Sequence, residues 1–249
     1  MTRPRLLLTG LTLCLAACGP RPDPAESPRV LVFSRTTGYR HASIEPGIEA
    51  IRAIGREDGF AVEATEDPAV FAPGGLDGYD AIVFLSTTED VLDEGQQEVF
   101  AAYIRGGGAF VGVHAASDTE YDWPWYGRLV GAYFAGHPND PNVREGILHV
   151  ADADHPSTAT LPDPWVREDE WYDFGELEPG LHVLLEVDET SYKRTDENPV
   201  ASLRPIAWFH EFDGGRSWYT GLGHTSESFA EPAFLEHLRG GLSWALRGR

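Results

Sequence analysis

Two apolar runs of this sequence end on a histidine that is surrounded by small residues. The first ends in GVHAA at residues 112–116, and the second ends in GLGH at residues 221–224. Small residues allow a strand to turn sharply, and such a turn exposes the side chain at the strand end. Because the pKa of imidazole lies near neutrality, His114 and His224 are suited to proton transfer or to metal ligation. The alternative for His114 is a buried ring that is hydrogen-bonded only to the main chain.

The first half of the sequence alternates between predicted strands and helices. Apolar runs predict buried strands at 30–33, 60–64, 81–85 and 110–113, and apolar residues at helical spacing predict helices at 44–59 and 93–105. This alternation is typical of a parallel sheet with right-handed crossovers, in which the strand ends meet at one edge. The loops after the strands should therefore bring His41 close to His114 and Asp118.

The second half is less regular and richer in aromatic residues. We predict strands at 142–150, 181–187, 205–212 and 217–221, a loop at 165–174, an exposed hairpin or loop at 188–198, and a final helix at 232–246. The complete pattern predicts an α/β fold, a three-layer sandwich with a mostly parallel central sheet and additional strands in the second half. If the strand at 217–221 joins that sheet, His224 lies near His114. The aromatic rings are suited to the apolar faces of sugars, although a place in the core explains them equally well.

The composition is that of one acidic globular domain. The chain has 249 residues, 42% of them hydrophobic, and a formal net charge of −21. No stretch has the density of lysine and arginine that the neutralisation of phosphates requires, so we expect no nucleic-acid partner. The scattered acidic residues are typical of a solvated surface. The sequence does not indicate an oligomeric state.

The amino-terminal residues predict export and attachment to a bacterial membrane, on its periplasmic or cell-surface side. Arg3 and Arg5 precede an apolar run at 6–15 that is too short to span a bilayer, as in a signal peptide. The following LAACG at 15–19 resembles the bacterial lipobox. We therefore predict a leader at 1–17, a lipidated Cys18 with a Pro-rich tether at 18–28, and a domain at 29–249. The alternative is an ordinary signal peptide that is cleaved nearby.

Cysteine chemistry is not expected in the domain. Cys14 and Cys18 are the only cysteines of the chain, and they fall in the predicted leader and at the predicted lipid site. Disulfides, thiolate metal ligands and a cysteine nucleophile are therefore excluded for residues 29–249.

Several separated motifs occur in the order seen in the ThuA-like (trehalose utilisation) family. They are GYRHASI at 38–44, GVHAA at 112–116, GAYF at 131–134 with HP at 137–138, DEWY at 169–172, PIAW at 205–208 and GLGH at 221–224. From residue 29 onward the chain thus resembles this family. The resemblance implies a fold like that of the class I glutamine amidotransferases, which is flavodoxin-like, with a histidine in place of the amidotransferase cysteine. It therefore does not imply amidotransferase activity.

The resemblance also implies a role in the metabolism of trehalose, related disaccharides or 3-keto sugars. A carbonyl group in such a sugar allows base-assisted elimination, hydration or isomerisation. The activity would accordingly be that of a hydrolase, a lyase or an isomerase.

On this hypothesis His41, His114 and His224 act as acid and base groups, or they hold Zn²⁺ or a similar divalent ion. Glu170 or Asp169 would add a carboxylate. No closely spaced motif such as H-E-x-x-H is present, so a metal site would depend on residues that are far apart in the chain. The residues predicted to bind the substrate are Tyr39, Arg40, Asp118, His137 and Tyr172.

Two classes of function remain open at this point. One is a tethered enzyme that acts on a small carbohydrate ligand, and the other is a non-catalytic lipoprotein that binds a sugar. A third, a structural partner within an assembly, would need a large exposed apolar patch. The remaining histidines lack a comparable turn and are predicted to be structural or on the surface: His149, His155, His182, His210 and His237.

Overall fold

The computed structural model describes residues 27–199 and 202–247. The predicted leader at 1–17, Cys18 and most of the predicted tether lie outside these residues. Within the described part of the chain, none of the helices combines the length and the apolar character that crossing a membrane requires.

The first half folds as alternating strands and helices. Its elements are β1 (Arg29–Phe33), α1 (Ile44–Asp58), β2 (Ala61–Thr65), β3 (Ala81–Leu85), α2 (Glu94–Arg105) and β4 (Ala109–Val113). α1 ends at Gly59, whose φ of 85° lies in the left-handed region that glycine tolerates. α2 begins with a reciprocal pair of hydrogen bonds between Asp93 and Gln96. The observed elements confirm the strands and helices predicted for this half.

The second half contains more strands than helices. Its elements are α3 (Pro124–Val130), β5 (Phe134–Gly136), β6 (Val143–Val150), β7 (Trp165–Glu170), β8 (Asp173–Phe174), β9 (His182–Asp188), α4 (Glu189–Tyr192), β10 (Leu203–Phe212), β11 (Gly215–Thr220) and α5 (Pro232–Leu246). Short 3₁₀ turns occupy Pro68–Phe71, His114–Ser117, Thr195–Glu197 and Glu227–Ala230. The final helix has the bounds that its apolar spacing predicts.

Nine strands form one mixed sheet in the order β2-β1-β3-β4-β11-β10-β9-β6-β7. The strands from β2 to β11 in this order are parallel, whereas every pair from β11 to β7 is antiparallel. The prediction of a mostly parallel sheet is therefore right for one half only. The change of direction follows from the Asp213-Gly214 hairpin between β10 and β11, because both residues have positive φ, as a two-residue hairpin turn requires.

Helices cover both faces of the parallel half, which gives three layers. Val30 and Val32 of β1 pack in a core with residues of α1 and α5. Leu31 and Phe33 point to the opposite face and pack in a second core with residues of α2 and α3. Each fully buried side chain of this kind contributes roughly 1.5–3 kcal/mol to folding. The two cores fix the strand ends on which the site is built.

The prediction of a loop at 165–174 is wrong, because this segment contains β7 and β8. The segment 188–198 connects the antiparallel strands β9 and β10, as predicted for a hairpin or loop, but it also contains α4 and a 3₁₀ turn. Three of the four buried positions in β7 hold charged residues, and two of these, Arg167 and Asp169, are paired at 3.1 Å. A strand whose inward positions are charged lacks the alternation of apolar and polar residues by which strands are recognised.

Candidate metal centre

His114 is placed by the end of β4. Val113 is paired with Thr220 of β11, so His114 lies beside Gly221. The His114 Nδ1 is 2.8 Å from the carbonyl oxygen of Gly221. Because a carbonyl only accepts, Nδ1 carries a proton, and Nε2 faces the other residues of the cluster. The φ of His114 is 52°, a conformation that non-glycine residues rarely adopt and that is often found at functional sites.

His224 is held through its main chain by the carboxylate of Asp169. The Asp169 carboxylate accepts hydrogen bonds from the amides of Gly223 at 2.9 Å and of His224 at 3.1 Å. It also accepts one from the amide of Glu170 at 2.9 Å and pairs with Arg167. Asp169 therefore ties the end of β7 to the segment after β11, and its two oxygens are both engaged away from the ring of His224.

Glu170 lies between the two histidines. Its Oε2 is 3.1 Å from His224 Nδ1 and 3.4 Å from His114 Nε2, and these two nitrogens are 3.2 Å apart. Its Oε1 accepts a hydrogen bond of 2.7 Å from Asn142. Burial alone would raise the pKa of the Glu170 carboxyl, but the contacts with His114 and His224 outweigh it, so the pKa lies well below its usual range. The carboxylate is therefore ionised.

His41 completes the group from the loop after β1. Its ring centroid is 4.8 Å from that of His114 and 5.1 Å from that of His224, and both contacts are edge to face. Burial, followed by the proximity of the other histidines, lowers the pKa of His41 to about 2. Its Nδ1 is buried and has no hydrogen-bond partner among the described residues. His41 is therefore a neutral imidazole with an unengaged nitrogen.

The donor set fits a divalent metal ion. One ligand atom from each of His41, His114, Glu170 and His224 lies within 4.8 Å of the others. Zinc lies about 2.0 Å from nitrogen and oxygen ligands, so the ligand atoms of a tetrahedral site are about 3.3 Å apart. The three distances of 3.1, 3.2 and 3.4 Å among His114, His224 and Glu170 match this spacing. Neutral imidazoles and carboxylate oxygen also suit other divalent transition metals.

A cavity of about 260 Å³ borders three of the four residues, His41, Glu170 and His224, while His114 is fully buried beside them. It is lined by Tyr39, His41, Asp118, Phe134, His137, Asn142, Glu170, Tyr172 and His224. Tyr39 is 67% exposed and its ring meets the edge of His41, so it forms an open aromatic wall. Tyr172 is buried, and its ring centroid is 4.2 Å from that of His114. Burial raises the pKa of the Tyr172 hydroxyl well above its usual range.

Most of the sequence-predicted site residues line this cavity or belong to the four-residue cluster beside it, with two exceptions among the described residues. Arg40 is exposed and pairs with Glu45 at 2.6 Å and Glu66 at 2.8 Å, outside the cavity lining. Asp169, predicted as an alternative to Glu170, instead supports the loop that carries His224. The predicted lipid site, Cys18, lies outside the described residues.

Sequence reasoning missed Asn142, Phe134 and the carbonyl of Gly221. Asn142 fixes Glu170, Phe134 lines the cavity, and the Gly221 oxygen fixes the tautomer of His114. The GAYF motif at 131–134 was a signal for Phe134. A backbone carbonyl has no residue type to recognise, so only the register of β4 and β11 could have indicated it.

Several histidines without a strand-end turn are held by ordinary structural contacts. His237 is fully buried and contacts the carbonyl of Ser157 at 2.8 Å and the hydroxyl of Thr220 at 3.1 Å. His210 contacts the carbonyl of Leu129 at 2.9 Å. His149 lies 3.3 Å from Asp163. The structure places these three residues outside the cavity.

The fold and the site thus define an α/β protein whose sheet edge carries a cluster of three histidines and one glutamate. A family model described as "Trehalose utilisation" (ThuA) matches residues 29–245. The chain therefore belongs to the ThuA family. No curated protein gives a significant sequence match.

Solved structures of ThuA-like proteins share this architecture. One from Bacteroides uniformis ATCC 8492 is 22% identical, with a TM-score of 0.73, and the match covers 91% of this chain and 95% of that chain. One from Parabacteroides merdae ATCC 43184 is 20% identical, with a TM-score of 0.68 and coverages of 90% and 91%. A β-galactosidase from Rahnella sp. R3 is 15% identical, with a TM-score of 0.54, over 88% of this chain and 31% of that chain. These likenesses show the fold.

Proposed function

We propose that this chain is an enzyme that acts on trehalose, a related disaccharide or a 3-keto sugar, with a divalent metal ion held by His41, His114, Glu170 and His224. The observation that carries the proposal is the convergence of three imidazoles and a carboxylate, whose candidate ligand atoms lie within 4.8 Å of one another beside a cavity. The description of the family supports a carbohydrate substrate.

The protein residues around the four ligands would determine how the centre works. A bound ion would act as a Lewis acid on a carbonyl or hydroxyl oxygen of the sugar. The Gly221 carbonyl keeps the proton of His114 on Nδ1, so that Nε2 faces the cluster as a donor of electrons. The amide of Asn142 orients the Glu170 carboxylate. Such supporting hydrogen bonds reduce the reorganisation that ligand binding requires.

The cavity lining supports a sugar as the ligand. Tyr39, Phe134 and Tyr172 offer aromatic surface, which packs well against the C–H faces of a sugar ring. Asp118 and His137 offer polar groups for hydroxyls in the same cavity. Aromatic surface together with polar groups that fix the orientation of a ligand is typical of small-molecule sites.

The test is a turnover screen with the purified domain loaded with Zn²⁺, Mn²⁺ or Co²⁺ in turn. Trehalose, other disaccharides and their 3-keto derivatives are followed by NMR, and metal content is measured by elemental analysis. We expect one bound ion and turnover of at least one sugar, and His114→Ala should abolish turnover while changing sugar affinity by less than about tenfold. His210→Gln, at a histidine outside the cavity, is the matched control and should retain turnover.

Two results would contradict this proposal in different ways. Sugar binding with no turnover under any metal would identify a non-catalytic sugar-binding protein. Turnover that survives both metal removal and His114→Ala would place the chemistry elsewhere in the molecule.

The proposal includes the location of the enzyme. A lipid on Cys18 would anchor the chain to a bacterial membrane, because each buried methylene contributes about 0.8 kcal/mol to membrane binding. We expect the full chain, expressed in a bacterium with lipoprotein processing, to enter the membrane fraction and to incorporate labelled palmitate. Cys18→Ser should release it to the soluble exported fraction. An unlabelled wild-type chain in the soluble fraction would contradict this part of the proposal.

A further inference from the structure

We propose that Asp118 and Tyr121 form the proton-exchanging pair of the cavity, in which the Asp118 carboxylate takes up and returns the proton and Tyr121 positions it. The inference deepens the proposed function and rests on it, because it assigns a role within the same cavity. It concerns a residue that the metal cluster does not use, since Asp118 lines the cavity but is not one of the four candidate ligands.

The main chain holds Asp118 firmly in the turn after β4. Its amide donates to the carbonyl of Ala115 at 2.8 Å, and its own carbonyl accepts from the amide of Glu89 at 2.7 Å. The side chain is half-buried. Among the residues that the structure describes, a hydrogen bond reaches its Oδ1 and none reaches its Oδ2. One carboxylate oxygen is thus fixed, and the other is available to a ligand.

The hydroxyl of Tyr121 has two acceptors within reach. Its oxygen is 2.5 Å from Asp118 Oδ1 and 3.2 Å from the carbonyl oxygen of Phe134. A hydroxyl has a single proton to donate but can also accept. When Asp118 is ionised, Tyr121 donates to it. When Asp118 is protonated on Oδ2, the oxygen open to the ligand, Tyr121 can keep its hydrogen bond to Oδ1 or donate to the carbonyl oxygen of Phe134. Both protonation states of Asp118 are therefore satisfied without movement of the main chain.

The groups around Asp118 allow its carboxyl to hold a proton. Burial is the main cause that raises the pKa of Asp118, and the charges of Glu89 and Glu170 act in the same direction. The hydroxyl of Tyr121 and the nearby His114 act in the opposite direction. Tyr121 remains protonated, because burial and its contact with Asp118 raise its pKa above the usual value. The ring of Tyr133 stacks on that of Tyr121, with the two ring centroids 5.1 Å apart, and so holds Tyr121 in place.

The proton balance of the step is simple. The Asp118 carboxylate accepts a proton from a C–H group next to the sugar carbonyl, or from a hydroxyl, and becomes a neutral carboxyl. The electron pair of the broken bond stays on the substrate, as an enolate or an alkoxide. Asp118 then returns the same proton to a different atom of the substrate. This is general acid and base catalysis by one group, which contributes roughly 10²–10⁴-fold to a rate.

The experiment combines two readouts on the full domain. The Asp118 carboxyl is titrated by ¹³C NMR in aspartate-labelled protein, with Asp118→Asn to assign its signal. We expect a midpoint above the usual 3.8 and a further rise in Tyr121→Phe, because that variant removes the donor that stabilises the ionised form. A midpoint at or below the usual value, or one that Tyr121→Phe leaves unchanged or lowers, overturns the proposal.

The second readout is turnover of the 3-keto disaccharides. Asp118→Asn should lower kcat by roughly 10²–10⁴-fold, with KM and bound metal little changed. The matched control is Asp122→Asn, at the exposed neighbouring aspartate, which should keep full kcat. Unchanged kcat in Asp118→Asn overturns the proposal although the proposed function stands. If the wild-type chain turns over none of the sugars, the proposed function fails, and the titration still decides whether Asp118 and Tyr121 form the pair described.

Discussion

Two groups of histidines lie in the interior of this protein, and they differ in what their ring nitrogens face. In the candidate metal centre, His114 Nε2 and His224 Nδ1 are 3.2 Å apart, and both contact the carboxylate of Glu170. In the structural group, each ring nitrogen of His237 contacts an oxygen of its own, and His210 Nε2 contacts a carbonyl. Convergence of ring nitrogens on one carboxylate, not burial, distinguishes the first group.

The pKa direction does not separate the two groups. Burial lowers the pKa of His41 to about 2 in the candidate centre and that of His237 to about 3 in the structural group. Both rings are therefore neutral across the physiological range. The Nδ1 of His41 lacks a partner among the described residues, whereas both nitrogens of His237 have one. A ring with an unengaged nitrogen beside other such rings can hold a cation, and a fully engaged ring cannot.

The largest difference between the groups should appear in metal affinity. His114→Ala removes a ligand, so the affinity for Zn²⁺ should fall by more than about 100-fold, beyond the range found for supporting residues around a metal. His210→Gln should leave the affinity unchanged. Isothermal titration of the metal-stripped proteins measures both. Equal losses of Zn²⁺ affinity in His114→Ala and His210→Gln would show that the two groups of histidines do not differ in metal binding.

Asp169 holds the segment that carries His224, so a change at Asp169 tests whether the metal centre needs that segment to be fixed. Asp169→Asn weakens the contacts to the amides of Gly223 and His224 and the pairing with Arg167. We expect roughly a 10–100-fold loss of metal affinity, together with a loss of about 3–5 kcal/mol in the free energy of unfolding, because a buried pair is broken.

The matched control for Asp169→Asn is Asp173→Asn, whose carboxylate pairs with Lys193 and not with the His224 segment. This control should keep the wild-type metal affinity. If Asp169→Asn also kept it, the segment that carries His224 would not need the Asp169 carboxylate.

His237, in the structural group, should make the free energy of unfolding depend on pH. The pKa of His237 is about 3 in the folded protein and 6.5 in an unconstrained chain, so below pH 6.5 the unfolded state binds a proton that the folded state does not. The contribution of the neutral His237 ring to the free energy of unfolding is thus complete above pH 6.5. It is lost as the pH falls toward 3, at about 1.4 kcal/mol per pH unit.

His237→Gln should flatten this slope in urea unfolding measured between pH 6.5 and pH 4. His182→Gln, at an exposed histidine, is the control and should leave it unchanged. Since His237 holds no ion in this account, added Zn²⁺ should not change the difference between the two variants. An identical slope in all three proteins would mean that the His237 ring is not kept neutral by burial.

The smallest effect is expected at Arg40. Its ion pairs with Glu45 and Glu66 are exposed, and such pairs contribute about 0–1 kcal/mol. Arg40→Gln should therefore change stability by less than about 1 kcal/mol and leave metal affinity unchanged, as measured by urea unfolding and calorimetry. A marked loss of sugar affinity in this variant would return Arg40 to the binding site, as its place in the sequence motif predicts.

The parts of the fold that local patterns determine could be predicted from the sequence. Apolar runs predicted β1 to β4, and apolar residues at helical spacing predicted α1, α2 and α5. The small residues around His114 and His224 marked two strand ends that the parallel pairing of β4 and β11 places side by side. The antiparallel half was harder to predict from the sequence, because the directions of its strands depend on the Asp213-Gly214 hairpin and on which strands pair over long distances.

Glu170 shows most clearly why the rest could not be predicted. It was a candidate from its motif, but β7 was predicted to be a loop, since its inward positions hold Arg167 and Asp169. Nothing local distinguishes the two neighbouring carboxylates. Only the assembled sheet turns Asp169 toward the main chain of the His224 segment and Glu170 toward the imidazoles.

A titration of the metal-stripped domain with Co²⁺ is the most direct test of a metal centre at His41, His114, Glu170 and His224, because the visible spectrum of Co²⁺ reports its ligands. We expect one equivalent to bind with a spectrum typical of imidazole and carboxylate ligands. The spectrum should be altered or lost in each of the four variants His41→Ala, His114→Ala, Glu170→Gln and His224→Ala. Failure of the wild-type protein to bind Co²⁺ or Zn²⁺, or a spectrum that these four variants leave unchanged, would contradict this expectation.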